Sequence, residues 1–148
     1  MKLNHSVPRV TTIDASLLSL EDFTSDQNMG EHMPEIISWE KLETEKLNDK
    51  ITRQMLFGEK AMLARIVLKR GAIVPRHSHV NEQITWIISG ALKLIFDDGE
   101  RILRSGQMLL IPANLPHAAE AMEDTVDIDI FAPPREDWIH KTDAYLRR

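Results

Sequence analysis

From residue 36 onward the hydrophobic positions come in runs of three to eight residues, broken by turn-forming residues, and several runs alternate apolar with polar side chains. That texture marks strands of a sandwich or barrel, since a helix would repeat its apolar positions at three- and four-residue spacing. The runs fall at residues 36–39, 51–57, 61–68, 72–74, 83–89, 91–96, 101–103, 107–111, 117–121 and 125–131. Between them stand Gly58-Glu59-Lys60, Lys69-Arg70-Gly71, Asp97-Asp98-Gly99-Glu100, Arg104-Ser105-Gly106 and Met122-Glu123-Asp124. Most carry a Gly, which accepts positive φ, or an Asp, whose carboxylate caps a turn. Asp98-Gly99, set between LKLIF and RIL, is the sharpest hairpin signal. About ten short strands and no convincing long helix predict an all-β fold, a jelly-roll barrel closed on itself.

The two ends read differently. Pro133-Pro134 has no N–H to give a ladder, so the barrel is expected to stop after Phe131. The tail, residues 135–148, scatters Trp138, Ile139, Tyr145 and Leu146 among charges and reads as a segment packed on the outside. Residues 1–35 follow neither period, apart from an amphipathic stretch at 16–23 that suits a short helix. They read as an arm, either disordered or lying across the barrel or a neighbouring subunit. The expected organisation is an arm at 1–35 and one barrel domain with its tail at 36–148.

Composition narrows the chemistry. A length of 148 residues suits one domain, and 43% hydrophobic with 28% charged residues is ordinary for a folded protein. Without cysteine, disulfides and thiolate metal sites are excluded. The net charge of −5 is spread with both signs interleaved and no basic run, which argues against a nucleic-acid partner. No apolar stretch is long enough to span a bilayer and the first residues lack a secretory pattern, so a soluble, cytoplasmic protein with no membrane partner is expected.

Three of the six histidines fall where the turn chemistry is tightest. In an extended strand His77 and His79 share parity and present both imidazoles to one face, a chelating pair. Gln83 has the same parity and opens the run ITWIIS after a break at Val80-Asn81, so a hairpin brings its amide oxygen back beside the rings. A register slip of one residue would present Glu82 instead. His117 follows the turn-rich Pro112-Ala-Asn114-Leu-Pro116 and starts the next strand. Four ligands from adjacent strands could enclose one divalent ion. Nitrogen-rich ligation favours Ni, Zn, Fe, Mn or Co over Mg or Ca. His5, His32 and His140 lie in the arm and tail and are not counted as ligands.

These residues resemble the two motifs of the cupin superfamily. Gly71, His77, His79, position 83 and Gly90 are similar to the first, and Gly106, Pro112, Asn114 and His117 to the second. Asn114 stands for a Gly, a mild change because Asn tolerates the left-handed conformation, and Ala121 stands for an Asn that is not usually a ligand. Gln83 stands where many cupins carry Glu. Three neutral imidazoles and a neutral amide leave a divalent ion its full charge in a low-dielectric interior, which favours a small anionic substrate bearing a carboxylate or enolate.

From Trp39 onward the chain is similar to the small KdgF-type cupins of pectin and alginate degradation, in HxHxxEQ at His77 to Gln83, in Ile111-Pro-Ala-Asn-Leu-Pro-His117, and in Asp129-Ile-Phe131-Ala-Pro-Pro-Arg135-Glu-Asp137-Trp138. The resemblance implies a metal-dependent isomerase that opens a 4,5-unsaturated uronate to its linear keto form, with Asp129, Phe131 and Arg135 in the reaction, and a homodimer. Read from the residues alone, Asp127, Asp129 and Phe131 share one face of their strand, and that face is either solvated or lines the cavity. Arg135 would grip a carboxylate in bidentate fashion at the barrel mouth. Arg53, Arg65 and Arg76 are expected to face solvent, and Trp86, out of phase with Gln83, to pack externally. The competing functions are an iron- or manganese-dependent dioxygenase and a non-catalytic module that binds a metal and a small acid. The long arm and the extra charge of Asp127 depart from the family pattern.

Overall fold

The computed structural model describes residues 33–148. Most of the sequence-predicted arm, including the helix expected at 16–23, lies outside the described residues. Ten strands follow: β1 (Glu45–Lys46), β2 (Ile51–Phe57), β3 (Met62–Leu68), β4 (Ile73–His77), β5 (Glu82–Ser89), β6 (Ala91–Phe96), β7 (Gly99–Arg104), β8 (Met108–Ile111), β9 (His117–Ala121) and β10 (Thr125–Ala132). They form two antiparallel sheets, a six-stranded one ordered β1-β2-β3-β10-β5-β8 and a four-stranded one ordered β4-β9-β6-β7. The fold is an all-β jelly roll, as the run pattern predicts.

Register explains what reaches the interior. In β3 every second residue is buried, Met62, Ala64, Ile66 and Leu68, and β10 matches this phase by pairing Phe131, Asp129, Asp127 and Thr125 with them in turn. On the other side of β10, Phe131 faces Gln83, Asp129 faces Thr85 and Asp127 faces Ile87 of β5. The period of two therefore sends two carboxylates, an amide and a hydroxyl inward among Ile, Leu and Ala. No helix among the described residues is long and apolar enough to cross a membrane.

Three local expectations fail. Residues 36–39 form no strand; Trp39–Lys41 is a single 3-10 turn, and the first ladder residues are Glu45 and Lys46 of β1. A side chain rather than a ladder fastens this segment: Gln54 Nε2 donates to the carbonyls of Trp39 and Leu42 at 2.7 and 3.2 Å. The tail is not an external strap. It forms helix α1 (Glu136–Ile139) and a 3-10 turn at Ala144–Leu146, and it drives Trp138 and Leu146 into the core, 3% and 5% exposed. Apolar side chains there cover the end of the barrel, where the sheets alone leave core residues open to water.

Arg53 is the third. It is buried, with Nη1 on Asp143 Oδ2 at 2.8 Å, Nη2 on Glu45 Oε2 at 2.8 Å and its guanidinium 4.3 Å from the Trp138 ring centroid. Arg53 shares inward parity with Ile51, and its charge is tolerated because two carboxylates and an aromatic face meet it. Arg147 closes the cluster on Glu45 and Asp143. Arg76 is exposed and pairs with Asp97, while half-buried Arg65 reaches Gln54 and the Trp39 ring.

Candidate metal centre

Strand β4 ends at His77, so His79 sits in the following bend rather than on the strand. The rings still converge. His77 is paired with His117 across β4 and β9, their ring centroids are 4.4 Å apart, and His79 lies 5.6 and 5.3 Å from the two. Asn114 takes φ 65° in the link before β9, the left-handed conformation that the sequence calls for there. Its N–H donates to the His79 carbonyl at 2.7 Å, tying the two motifs together.

Backbone carbonyls fix the tautomers. The Nδ1 of His77, His79 and His117 lie 2.8, 3.0 and 2.7 Å from the carbonyls of Pro75, Asn81 and Leu115. A carbonyl only accepts, so each Nδ1 carries the proton and each Nε2 is left as a bare lone pair. Burial keeps the rings neutral: desolvation lowers His77 and His79 to about 4 and pushes His117 down as well. One ligand atom from each of the three lies within 4.8 Å of the others. His117 Nε2 is buried without a partner, and His79 Nε2 stands 3.0 Å from Gln83 Oε1, two lone-pair donors that repel unless a cation lies against both. The donor set fits a divalent ion of the imidazole-binding kind, and these four residues would hold it.

Gln83 is buried and Glu82 exposed, so the amide and not the carboxylate faces the rings. The orientation of the amide is set from behind. Its Nε2 donates to Thr85 Oγ1 and to Asp129 Oδ1, both at 2.9 Å, and Thr85 Oγ1 donates to the same Asp129 oxygen at 2.7 Å. Asp129 is raised to about 6 by burial, with the Thr85 and Gln83 hydrogen bonds and the Arg135 charge pulling the other way. Asp127, one step deeper, is pushed well above the ordinary carboxylate value by burial and then by Asp129, and its Oδ1 has no partner.

Phe131 and Arg135 complete the wall. Phe131 is buried, edge-on to His79 at 5.6 Å and to Trp138 at 4.9 Å. Arg135 is 1% exposed, held over Trp138 at 4.6 Å and over Phe131 at 5.3 Å. The bidentate edge expected for a ligand is already taken: Nε and Nη2 donate to Asp137 at 2.8 and 2.7 Å. Nη1 alone is left, buried and unpartnered.

Residues 64–131 match the cupin domain family. Over that stretch the chain is similar to the cupins. It is 29% identical over 98 residues to the pectin degradation protein KdgF of Dickeya dadantii (strain 3937), covering 64% of this chain and 89% of that one. Among solved structures it resembles KdgF from Halomonas sp., with a TM-score of 0.67 and 25% identity over 72% of this chain and 99% of the other. An RmlC-like cupin from Shewanella frigidimarina NCIMB 400 gives 0.66 and 26%, over 72% of this chain and 96% of that one.

The same cavity holds residues that the sequence did not single out for the site. Thr85 shares the inward parity of Gln83 and could have been found from that alternation. Trp138 and Tyr145 line the cavity as well, and a tail without periodicity gives no such signal. Tyr145 stacks on His77 at 4.7 Å with 25° between the rings. His140 is exposed and bonds Glu136, and His5 and His32 lie outside the described residues.

Proposed function

We propose that this protein is a metal-dependent isomerase that opens a 4,5-unsaturated uronate to its linear keto form, with Asp129 moving the proton. The reading is supported by the similarity to two KdgF proteins, one of them described as a pectin degradation protein. The observation that carries it is Asp129: a buried carboxylate near 6, held through the Gln83 amide beside three converging imidazoles.

The reaction is an internal rearrangement. The bond between the anomeric carbon and the ring oxygen breaks, the anomeric hydroxyl gives up its proton to become an aldehyde, and the released enol is protonated at C4 to become a ketone. Atoms balance and no oxidant is consumed. A group whose ionised and protonated forms are both populated near neutrality suits the two halves of that transfer. Thr85 and Gln83 hold one Asp129 oxygen, and no described residue bonds the other, which is free to exchange the proton. Phe131 and Trp138 exclude water from the transfer, and Arg135 offers its unpartnered Nη1 as a donor to the substrate carboxylate. A divalent ion on the histidines and Gln83 would supply Lewis-acid polarisation of a substrate oxygen.

The test follows the absorbance of the conjugated C4=C5 bond of unsaturated galacturonate with protein loaded in turn with Ni, Zn, Mn, Co or Fe. Accelerated loss under anaerobic conditions, abolished by chelation and by Asp129→Asn, is expected. No acceleration with any metal overturns the reading, and oxygen uptake with bound iron would put a dioxygenase in its place.

A further inference from the structure

Tyr145 sits on the C-terminal tail, more than twenty residues beyond the last histidine ligand, yet it is fixed into the cavity from both sides. Asp143 is buried on Arg53 at 2.8 Å, and the Leu146 carbonyl accepts from Asn48 Nδ2 at 3.0 Å while the Leu146 side chain lies in the core. Between these anchors the phenol ring lies on His77. Its oxygen accepts from Arg135 Nη2 at 2.8 Å and, at the limit of reach, from Trp138 Nε1 at 3.5 Å.

A phenol has one proton to donate and two lone pairs to accept. Both contacts made to this oxygen use its acceptor side, and among the described residues nothing accepts its proton. Arg135 Nη1, on the same guanidinium, is buried and also unpartnered. The two side chains carrying these donors are joined by the Nη2 hydrogen bond and line one cavity with His77 and His117. The apolar part of the lining, Ile66, Leu68, Leu92 and Leu94, offers no acceptor. An acceptor-only ligand group is what this arrangement lacks.

We infer that the Tyr145 hydroxyl and Arg135 Nη1 form a carboxylate clamp, so that Tyr145 is a ligand-binding residue contributed by the tail. The clamp deepens the uronate reading and rests on it for the identity of the acid. Because Asp137 neutralises Arg135 at short range, the clamp selects through donor geometry more than through net charge.

The experiment is titration calorimetry of the metal-loaded, full-length protein with saturated galacturonate and with its neutral methyl ester, on wild type and Tyr145→Phe. Phe keeps the ring on His77 and deletes only the hydroxyl. About a 10-fold weaker Kd for galacturonate is expected, with metal content and Tm unchanged and with the preference over the ester reduced by the same factor. An unchanged Kd, an equal loss for acid and ester, or no saturable galacturonate binding by the wild type overturns the clamp. Galacturonate binding that Tyr145→Phe weakens, together with no turnover of the unsaturated uronate by the wild type, would leave the clamp standing and remove the isomerase reading.

Discussion

The Gln83 amide donates to Asp129 Oδ1 at 2.9 Å while its other end faces the His79 ring nitrogen at 3.0 Å. One side chain thus ties the lone pairs that would hold a metal to the carboxylate that would move a proton. Replacing it by Glu removes an N–H donor and places a second negative charge against Asp129. Both changes raise the Asp129 carboxyl further from its already elevated value. In Gln83→Glu the acid limb of the kcat/KM profile is expected to move up by roughly one pH unit or more, with metal still bound. A limb that stays in place would show that Asp129 is not the titrating group.

The three imidazoles give the metal-free protein a definite pH response. His77 and His79 are lowered to about 4 in the folded state, against 6.5 when exposed. Between those values the unfolded chain binds protons that the folded chain refuses, so their contribution falls as the pH drops from 6.5 towards 4. Asp129, raised to about 6 from 3.8, contributes with the opposite sign over the lower part of that window. The His79→Gln variant should therefore lose less stability than the wild type when both metal-free proteins go from pH 6.5 to pH 4.5. Urea midpoints at the two pH values check this, and parallel shifts would contradict it.

Asp127 should respond the other way. Burial and the neighbouring Asp129 raise its carboxyl well above the exposed value. Stability from holding that proton is present at low pH and is lost as the pH rises through the folded value. Asp127→Asn is close in shape and never ionises, so its stability relative to wild type is expected to increase between pH 5 and pH 9. Thermal midpoints that keep a constant difference across that range would contradict it.

What the sequence made legible follows from period and turn chemistry. Nine of the ten runs lie on strands because each one pairs within a hairpin or across the barrel, most with an inward face already apolar. His77, Gln83 and His117 were readable because their strands or turns place them locally. Arg53 was misread although its parity with Ile51 pointed inward, since the partner that permits burial, Asp143, is 90 residues away. The tail was misread for the same reason. Trp138, Tyr145 and Leu146 follow no period of their own and are placed by the open end of the barrel, a tertiary feature no local pattern encodes.

The tail depends on the buried ion cluster. Asp143 accepts from Arg53 Nη1 at 2.8 Å and from Arg147 Nε at 3.1 Å, and both Arg53 and Asp143 are fully buried. Asp143→Ala leaves the guanidinium partly unpaired and should cost about 3 kcal/mol. Because Tyr145 lies two residues on, galacturonate binding is expected to weaken alongside stability. Equilibrium unfolding in urea and calorimetry on the same variant test the pair. A loss below about 1 kcal/mol would show that Glu45 alone suffices for Arg53.

Two glycines with nearly the same backbone angle separate conformational strain from collision. Gly90 and Gly106 have φ 87° and 84°, both in the left-handed region that a side chain enters at a cost. At Gly106 a Cβ would meet nothing within 4 Å, whereas at Gly90 it would stand 2.3 Å from the Asp124 carbonyl oxygen and 2.6 Å from Thr125 Oγ1. Thr125 Oγ1 in turn donates to the Ala91 carbonyl at 3.1 Å and is fixed there. Backbone and an engaged hydroxyl cannot yield, and the displaced strand would be β10, which carries Asp127 and Asp129. Gly106→Ala is expected to cost about 1 kcal/mol. Gly90→Ala should cost about 3 kcal/mol or more and also lower turnover. Equal losses in urea unfolding would mean that the left-handed conformation alone decides both positions, and that the contact at Gly90 is relieved without moving β10.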